Sequence, residues 1–149
     1  MKKAIHPIAG ALALVILVTF WLSTAVTEMS GSQAAVVAIK TAIPWGFLLL
    51  IPALAATGGT GFGLSRGRRG GLLDAKIKRM PWIAVNGLLI LIPAALFLSF
   101  KAQAGEFDMR FYAAQALELV AGATNITLLG LNMRDGLTLK GRLRRDMRP

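Results

Sequence analysis

Two ionisable residues of opposite charge lie inside long apolar stretches of this sequence. Lys40 stands in the stretch 34–57, and Glu118 stands in the stretch 111–133. An ionisable group in hydrocarbon is costly, so it usually faces the interior of a helix bundle and finds a partner there. At a helical rise of ~1.5 Å per residue, both lie roughly 10 Å below the same membrane boundary. We therefore predict that Lys40 and Glu118 form an ion pair; the alternative is that Lys40 extends to the interface and Glu118 is protonated.

Amide side chains form a second polar group. The stretch 111–133 places polar or small residues at spacings that put them on one helix face: Gln115, Glu118, Gly122, Asn125 and Asn132. Asn86, in the stretch before it, lies at a depth that Asn125 or Asn132 could share. Lipid cannot satisfy such groups, so we expect them to point into the bundle. They either hold the helices together through hydrogen bonds of about 0.6 kcal/mol each or line a polar cavity.

His6 is the single histidine, and it stands at the start of the first apolar stretch. The simplest interpretation is a residue at the membrane interface. The alternative is a ligand of haem b, with Met80 or the His6 of a second copy as the other axial ligand. The sequence has no cysteine and no cluster of His, Asp and Glu, so we predict no metal site. It also has no Ser-His-Asp set, so we predict no catalytic residue and, haem apart, no cofactor.

These residues must be positioned by four apolar stretches, 4–26, 34–57, 81–100 and 111–133. Each is close to the roughly 20 residues that a helix needs to cross a hydrocarbon core of ~30 Å. A hydrophobic fraction of 55% and a mean hydropathy of +0.61 exceed what a soluble domain of this size can bury. Ten-residue segments of alternating polarity, as in a membrane β-barrel, are absent from the sequence. The prediction is an all-α, polytopic membrane protein: one domain, 1–149, with four transmembrane helices in an up-down bundle.

The net charge of +10 is unevenly distributed. Basic residues concentrate before the first stretch, in the Gly- and Arg-rich segment 58–79 and in the tail 134–149, whereas the connections 27–33 and 101–110 hold few. By the positive-inside rule, both termini and the segment 58–79, predicted as a loop, are cytoplasmic. This distribution argues against nucleic acid as a partner. Six basic residues are predicted to contact anionic phospholipid headgroups: Arg66, Arg68, Arg69, Lys76, Lys78 and Arg79.

Prolines lie well inside two of the predicted helices, more than one turn from either end. Pro44 and Pro52 are eight residues apart in the second stretch, and Pro93 lies in the third. Each proline removes a backbone hydrogen bond and tends to kink a helix. The second helix is therefore expected to be the one that is bent or broken.

The layout resembles that of small four-span inner-membrane proteins of bacteria, although no motif identifies a family. The resemblance implies a bacterial inner membrane, and architecture alone does not assign a function. Our leading hypothesis is a non-enzymatic interaction or accessory subunit with a polar bundle core, whose partner is a second copy or another membrane protein. One alternative is a small oligomeric carrier or ion or proton path that uses the Lys40–Glu118 pair. The other is an electron-transfer protein that binds haem b.

Overall fold

A computed structural model of the chain describes residues 2–65 and 71–145. Every regular element in these ranges is helical. The helices are α1 (Lys2–Ser30), α2 (Gln33–Ser65), α3 (Gly71–Asn86), α4 (Ile92–Gln103) and α5 (Met109–Arg145), and a π-helical turn (Gly87–Leu91) joins α3 to α4. Counting α3, the π turn and α4 as one, four helices are long and apolar enough to cross a membrane. The prediction of an all-helical chain with four candidate membrane spans is confirmed, and it indicates a multi-pass membrane protein.

The helices extend further than the apolar stretches. Residues 58–65 belong to α2 and residues 71–79 belong to α3, so most of the segment predicted as a loop is helical. Arg66, Arg68 and Arg69 lie outside the described residues. Likewise, α5 continues through Arg145, well into the segment 134–149. The boundaries differ because hydropathy marks where the apolar surface ends, whereas Leu, Lys and Arg continue to favour a helix beyond that point.

The second helix was expected to be bent or broken, and the structure shows that it is not broken. α2 remains α-helical through Pro44 and Pro52, and the irregular turn lies instead in the third span, directly before Pro93. Pro93 has no N–H to donate, and the ladder shifts register there: the Ile92 N–H donates to the Gly87 carbonyl, five residues back. The third span is therefore divided into two α-helical halves, α3 and α4, that follow different neighbours.

The four spans pack as a ring that is closed at one end. α1 packs against α2 and α5, and α4 packs against α2 and α5, whereas α3 packs against α5 and barely contacts α2. One apolar cluster includes Ala13, Leu17 and Leu50, and a second includes Leu98 and Phe111. Many large apolar side chains point outward, as expected when the surrounding solvent is lipid. The ring therefore leaves a gap between α2 and α3.

We call the closed end of the ring the tight-turn end, because two short connections lie there. Gly31 and Gly105 adopt positive φ angles of 65° and 70°, a conformation that glycine adopts without steric cost. In the second connection, Lys101 Nζ donates to Asp108 Oδ2 at 2.7 Å, and the Phe111 N–H donates to Asp108 Oδ1 at 2.9 Å, which caps the start of α5. The opposite end, which carries Arg79 and Asp135, is called the basic end.

The stability that Asp108 contributes to this connection should be lost in acid. The hydrogen bond from Lys101 holds the pKa of Asp108 below its ordinary value of 3.8. A carboxyl whose pKa is lowered by folding stabilises the fold above that ordinary value, and the contribution is lost as the pH falls through the lowered pKa. We expect Asp108→Asn to flatten the acid side of the profile of thermal midpoint against pH, measured from pH ~7 to ~3 in detergent. An unchanged acid limb would contradict a stabilising role for this carboxylate.

α1 and α2 approach closely at Gly46. A Cβ atom built on Gly46 would overlap the ring of Phe20, whereas a Cβ on Gly59, in the same helix, would meet nothing within 4 Å. Phe20 also packs edge to face on Phe47, with ring centroids 6.4 Å apart, so its ring has little freedom to move.

We expect Gly46→Ala to lower the free energy of unfolding by ~1–3 kcal/mol, because the added methyl group overpacks this contact. Gly59→Ala is the matched control, and it should be neutral or stabilising by up to about 1 kcal/mol. Titration with a denaturing detergent, followed by circular dichroism, measures both. Equal behaviour of the two variants would show that α1 and α2 do not meet at Gly46.

Candidate functional site

Lys40 and Glu118 form an ion pair between α2 and α5, and Thr24 on α1 completes it. Lys40 Nζ donates to Glu118 Oε2 and, at 3.3 Å, to Thr24 Oγ1. The Lys40 side chain is 1% exposed and that of Glu118 is 12% exposed. Three helices thus meet at one polar point inside apolar surroundings. The depth argument anticipated the two charges, but nothing in the sequence indicated Thr24.

Trp21 fixes α1 against α5 close to this pair. Its indole Nε1 donates to the Leu119 carbonyl at 2.8 Å. The indole fits because Gly122 has no side chain: a Cβ there would lie 3.0 Å from Trp21 Cδ1. Gly122 was predicted on the polar face of α5, and its role there is to leave the space that the Trp21 indole occupies.

The amides Asn86 and Asn125 bond to each other across α3 and α5. Asn86 Nδ2 donates to Asn125 Oδ1 and to the Ala121 carbonyl, both at 2.8 Å, and Asn125 Nδ2 donates to the Ile83 carbonyl at 3.3 Å. Asn125 is 1% exposed. Of the two partners that sequence left open for Asn86, the structure brings Asn125 to it. The cluster joins α3 to α5 in the half of the bundle where α3 has little contact with α2.

Arg79 meets the third polar cluster at the basic end. Its Nη1 atom donates to Asp135 Oδ2 at 2.6 Å, with Asn132 Oδ1 at 3.5 Å, and the Asp135 side chain is only 4% exposed. Arg79 therefore has a buried protein partner, and its contact with lipid headgroups stays a prediction. Asp135 was not among the polar residues predicted from the sequence, although its position three residues after Asn132 places it on the same helix face. Lys78 is exposed; for Lys76 only the backbone is described.

Some buried polar atoms have no hydrogen-bond partner among the described residues. They are Gln115 Oε1, Asn132 Nδ2 and Thr41 Oγ1. Gln115 is 4% exposed, but it does not join the Lys40–Glu118 pair through a hydrogen bond. An amide oxygen in this state is costly, which makes Gln115 a polar feature that the helix packing alone does not explain.

His6 and Met80 both lie close to Gly61 at the basic end. His6 Nδ1 is hydrogen-bonded to Thr60 Oγ1 at 3.0 Å and to the Thr57 carbonyl at 3.1 Å, so the imidazole ties α1 to α2. A Cβ on Gly61 would lie 3.1 Å from Met80 Cε and 3.3 Å from His6 Cε1. Among the residues that the structure describes, no group of three or more metal-ligating side chains occurs.

A cavity of about 560 Å³ runs between the four spans. Its wall is almost wholly apolar and includes the rings of Phe20, Phe47 and Trp21. A few polar residues also contribute to the wall: Thr24, Thr57, Glu118 and Asn125. The ion pair therefore has one face on a large apolar space, a relation that no spacing in the sequence reveals.

Comparison of the chain with protein-family models, with curated proteins and with solved structures gives no match.

Removing one member of the ion pair should lower the free energy of unfolding more than removing both. Lys40→Met leaves the Glu118 carboxylate without its partner in apolar surroundings, so we expect a loss of ~3–5 kcal/mol in the free energy of unfolding. The double variant Lys40→Met with Glu118→Leu removes both charges, and a buried pair replaced by apolar residues is often neutral or stabilising. Unfolding of the wild type and the two variants in detergent measures this.

The double variant is the internal control, because it contains the same lysine substitution. If the single variant were as stable as the wild type, the two side chains would not depend on each other. A double variant less stable than the single one would show that the residues act separately.

Proposed function

We propose that this protein is a small, non-enzymatic subunit of a bacterial inner membrane, with both termini in the cytoplasm, that acts by associating with other membrane components. The observation that supports this most directly is the Lys40–Glu118 pair. The ammonium is enclosed by Glu118 and Thr24, and each of the three groups comes from a different helix. Such a pair fixes helix register and packing, as polar residues do at specific positions of other helical assemblies.

The other polar clusters support the same role. Asn86 with Asn125 joins α3 to α5, and Arg79 with Asp135 joins the same two elements nearer the basic end. In each case the polar atoms bond to neighbouring helices and do not converge on a common point where a substrate could react.

Among the described residues, two hydroxyls lie within hydrogen-bond distance of a basic side chain, Thr24 near Lys40 and Thr60 near His6. The Lys40 ammonium is already paired with Glu118, however, and the Thr60 hydroxyl donates to the Ala56 carbonyl of its own helix, so neither pair is arranged as an activated nucleophile.

The proposed orientation rests on the distribution of charge. The described basic residues Lys78, Arg79 and Arg134 lie at the basic end of the bundle, and the positive-inside rule supports a cytoplasmic position for that end. Anionic phospholipid headgroups are then partners for exposed basic residues such as Lys78. The outward faces of the helices are left for a second copy of the chain or another membrane protein.

A carrier or ion path is the second candidate, and one observation favours it. Glu118 contributes to the wall of the cavity, so one member of the buried pair can be reached from that space. A proton or ion path would need the carboxylate to change partners during transport. For haem b, the corresponding observation is that His6 and Met80 both lie close to the same position, Gly61. A visible absorption band in protein purified from haem-replete cells would be the sign of haem.

Flux and cross-linking together test the accessory role. In proteoliposomes loaded with a pH-sensitive dye, we expect wild type and the Lys40→Met, Glu118→Leu double variant to pass no more protons than protein-free vesicles, because the pair is structural. A photo-reactive amino acid at the outward positions Leu48 and Phe100 should give a discrete cross-linked polypeptide in cells. The same probe at Ala13, which is 0% exposed, is the matched control and should give none.

Two results would overturn the proposal. Proton flux in the wild type that is lost in the folded double variant would favour the carrier. Cross-links to lipid alone from both outward positions would leave the accessory role without a partner.

A further inference from the structure

The cavity is elongated along the bundle axis. On α2 its wall extends from Ile43 to Gly58, which at ~1.5 Å per residue is roughly 22 Å along the helix axis. Its volume of about 560 Å³ lies within the range of about 300–1,000 Å³ that small-molecule sites occupy. Such a space suits a chain-like molecule that lies along the bundle axis.

The cavity has a lateral mouth between α2 and α3. Five apolar residues line the cavity and are also exposed on the outer surface, two on α2 and three on the third span: Ile51, Ala55, Pro81, Ala84 and Leu88. Their spacings of four on α2, and of three and four on the third span, place each set on one helix face. All five fall within the candidate membrane spans. A molecule that enters here comes from the lipid phase and must itself be lipid-soluble.

The polar groups along the wall differ in whether they can receive a ligand. The Thr57 hydroxyl donates to the Ala53 carbonyl of its own helix, and the Asn125 amide is engaged by Asn86 and Ile83. At the other end, Glu118 uses Oε2 for Lys40, and its Oε1 atom accepts no hydrogen bond from the described residues. The Glu118 end is therefore where a polar head group finds an acceptor.

Charge restricts the head group. Lys40 and Glu118 cancel each other, so a second charge brought into this apolar space would be left without a partner. An ionised carboxylate only accepts hydrogen bonds, whereas the Thr24 hydroxyl can both donate and accept. A neutral hydroxyl group meets both conditions, because it can donate to Glu118 and accept from Thr24.

We propose that this cavity is a binding site for a long-chain lipid with a neutral hydroxyl head, which enters from the bilayer between α2 and α3 and places its hydroxyl at Glu118 and Thr24. The chain lies along the apolar wall beside Phe20, Phe47 and Trp21. The site is independent of whether the protein serves as an accessory subunit.

Binding can be measured through the fluorescence of Trp21, because its indole forms part of the cavity wall. Trp45 and Trp82 are 73% and 70% exposed on the outer faces, so both are replaced by Phe to leave Trp21 as the single reporter. The protein is placed in phospholipid nanodiscs and titrated with a dibrominated C18 alcohol, whose bromine atoms quench tryptophan fluorescence at short range. The methyl ester of the corresponding dibrominated C18 acid, which has no donor, is the comparison probe, and a brominated phospholipid is the third.

Blocking the mouth tests the site. We expect saturable quenching by the alcohol, and Ala55→Phe or Ala84→Phe should raise the half-quenching concentration at least tenfold. Ala42→Phe is the matched control: Ala42 is exposed on α2 but does not line the cavity, and this variant should bind as the parent does. Quenching that does not saturate, or that is equal in the blocked and control variants, would overturn the site.

The head group is tested with the charge-free double variant, Lys40→Met with Glu118→Leu, in the same single-tryptophan background. In the parent, the alcohol should bind about tenfold more tightly than the ester, because a hydrogen bond to a charged group is lost in the ester. In the double variant this preference should disappear, while the alcohol still quenches Trp21. No preference in the parent, or a preference that survives in the double variant, overturns the assignment of the head group.

Quenching by the brominated phospholipid equal to that by the alcohol would show that an ordinary bilayer chain fills the space.

Discussion

The Lys40–Glu118 pair is the interaction on which the arrangement of this bundle depends. In apolar surroundings neither charge is tolerable alone, so α2 and α5 must be held at the one register that brings the two side chains together. Thr24 binds the same ammonium and extends the constraint to α1. A membrane bundle gains little from burying apolar surface, because lipid is as apolar as its core, and polar contacts and close packing must supply specificity instead.

The third span is positioned by other means. Its α4 half packs against both α2 and α5, whereas its α3 half is attached to α5 by the Asn86–Asn125 bond and the Arg79–Asp135 pair. The π-helical turn before Pro93 separates the two halves and allows them to follow different neighbours. The gap between α2 and α3, and the cavity behind it, are the consequence. The polar contacts that hold the bundle together thus also determine where it remains open.

The same geometry relates the proposed role to the proposed ligand. A subunit that associates with other membrane components presents its outward helix faces to them, and a lipid bound between α2 and α3 would lie at that surface. Occupancy of the cavity would fill the gap in the ring and change the face formed by Ile51 and Leu88. Lipid binding and association would then be coupled through the separation of these two helices, by the differential affinity of the ligand for the open and the filled arrangement.

The sequence by itself determined the four apolar helices and the polar residues that had to face inward, because length and hydropathy are local properties and a charge in hydrocarbon needs a partner. It did not determine helix ends beyond the apolar stretches, the π turn before Pro93, or the roles of Thr24 and Asp135. Those depend on which helices become neighbours, and neighbours are chosen by packing between distant segments, such as the fit of Trp21 over Gly122. The tertiary structure alone decided that Glu118 faces a cavity, because an empty space between helices has no counterpart in any single segment.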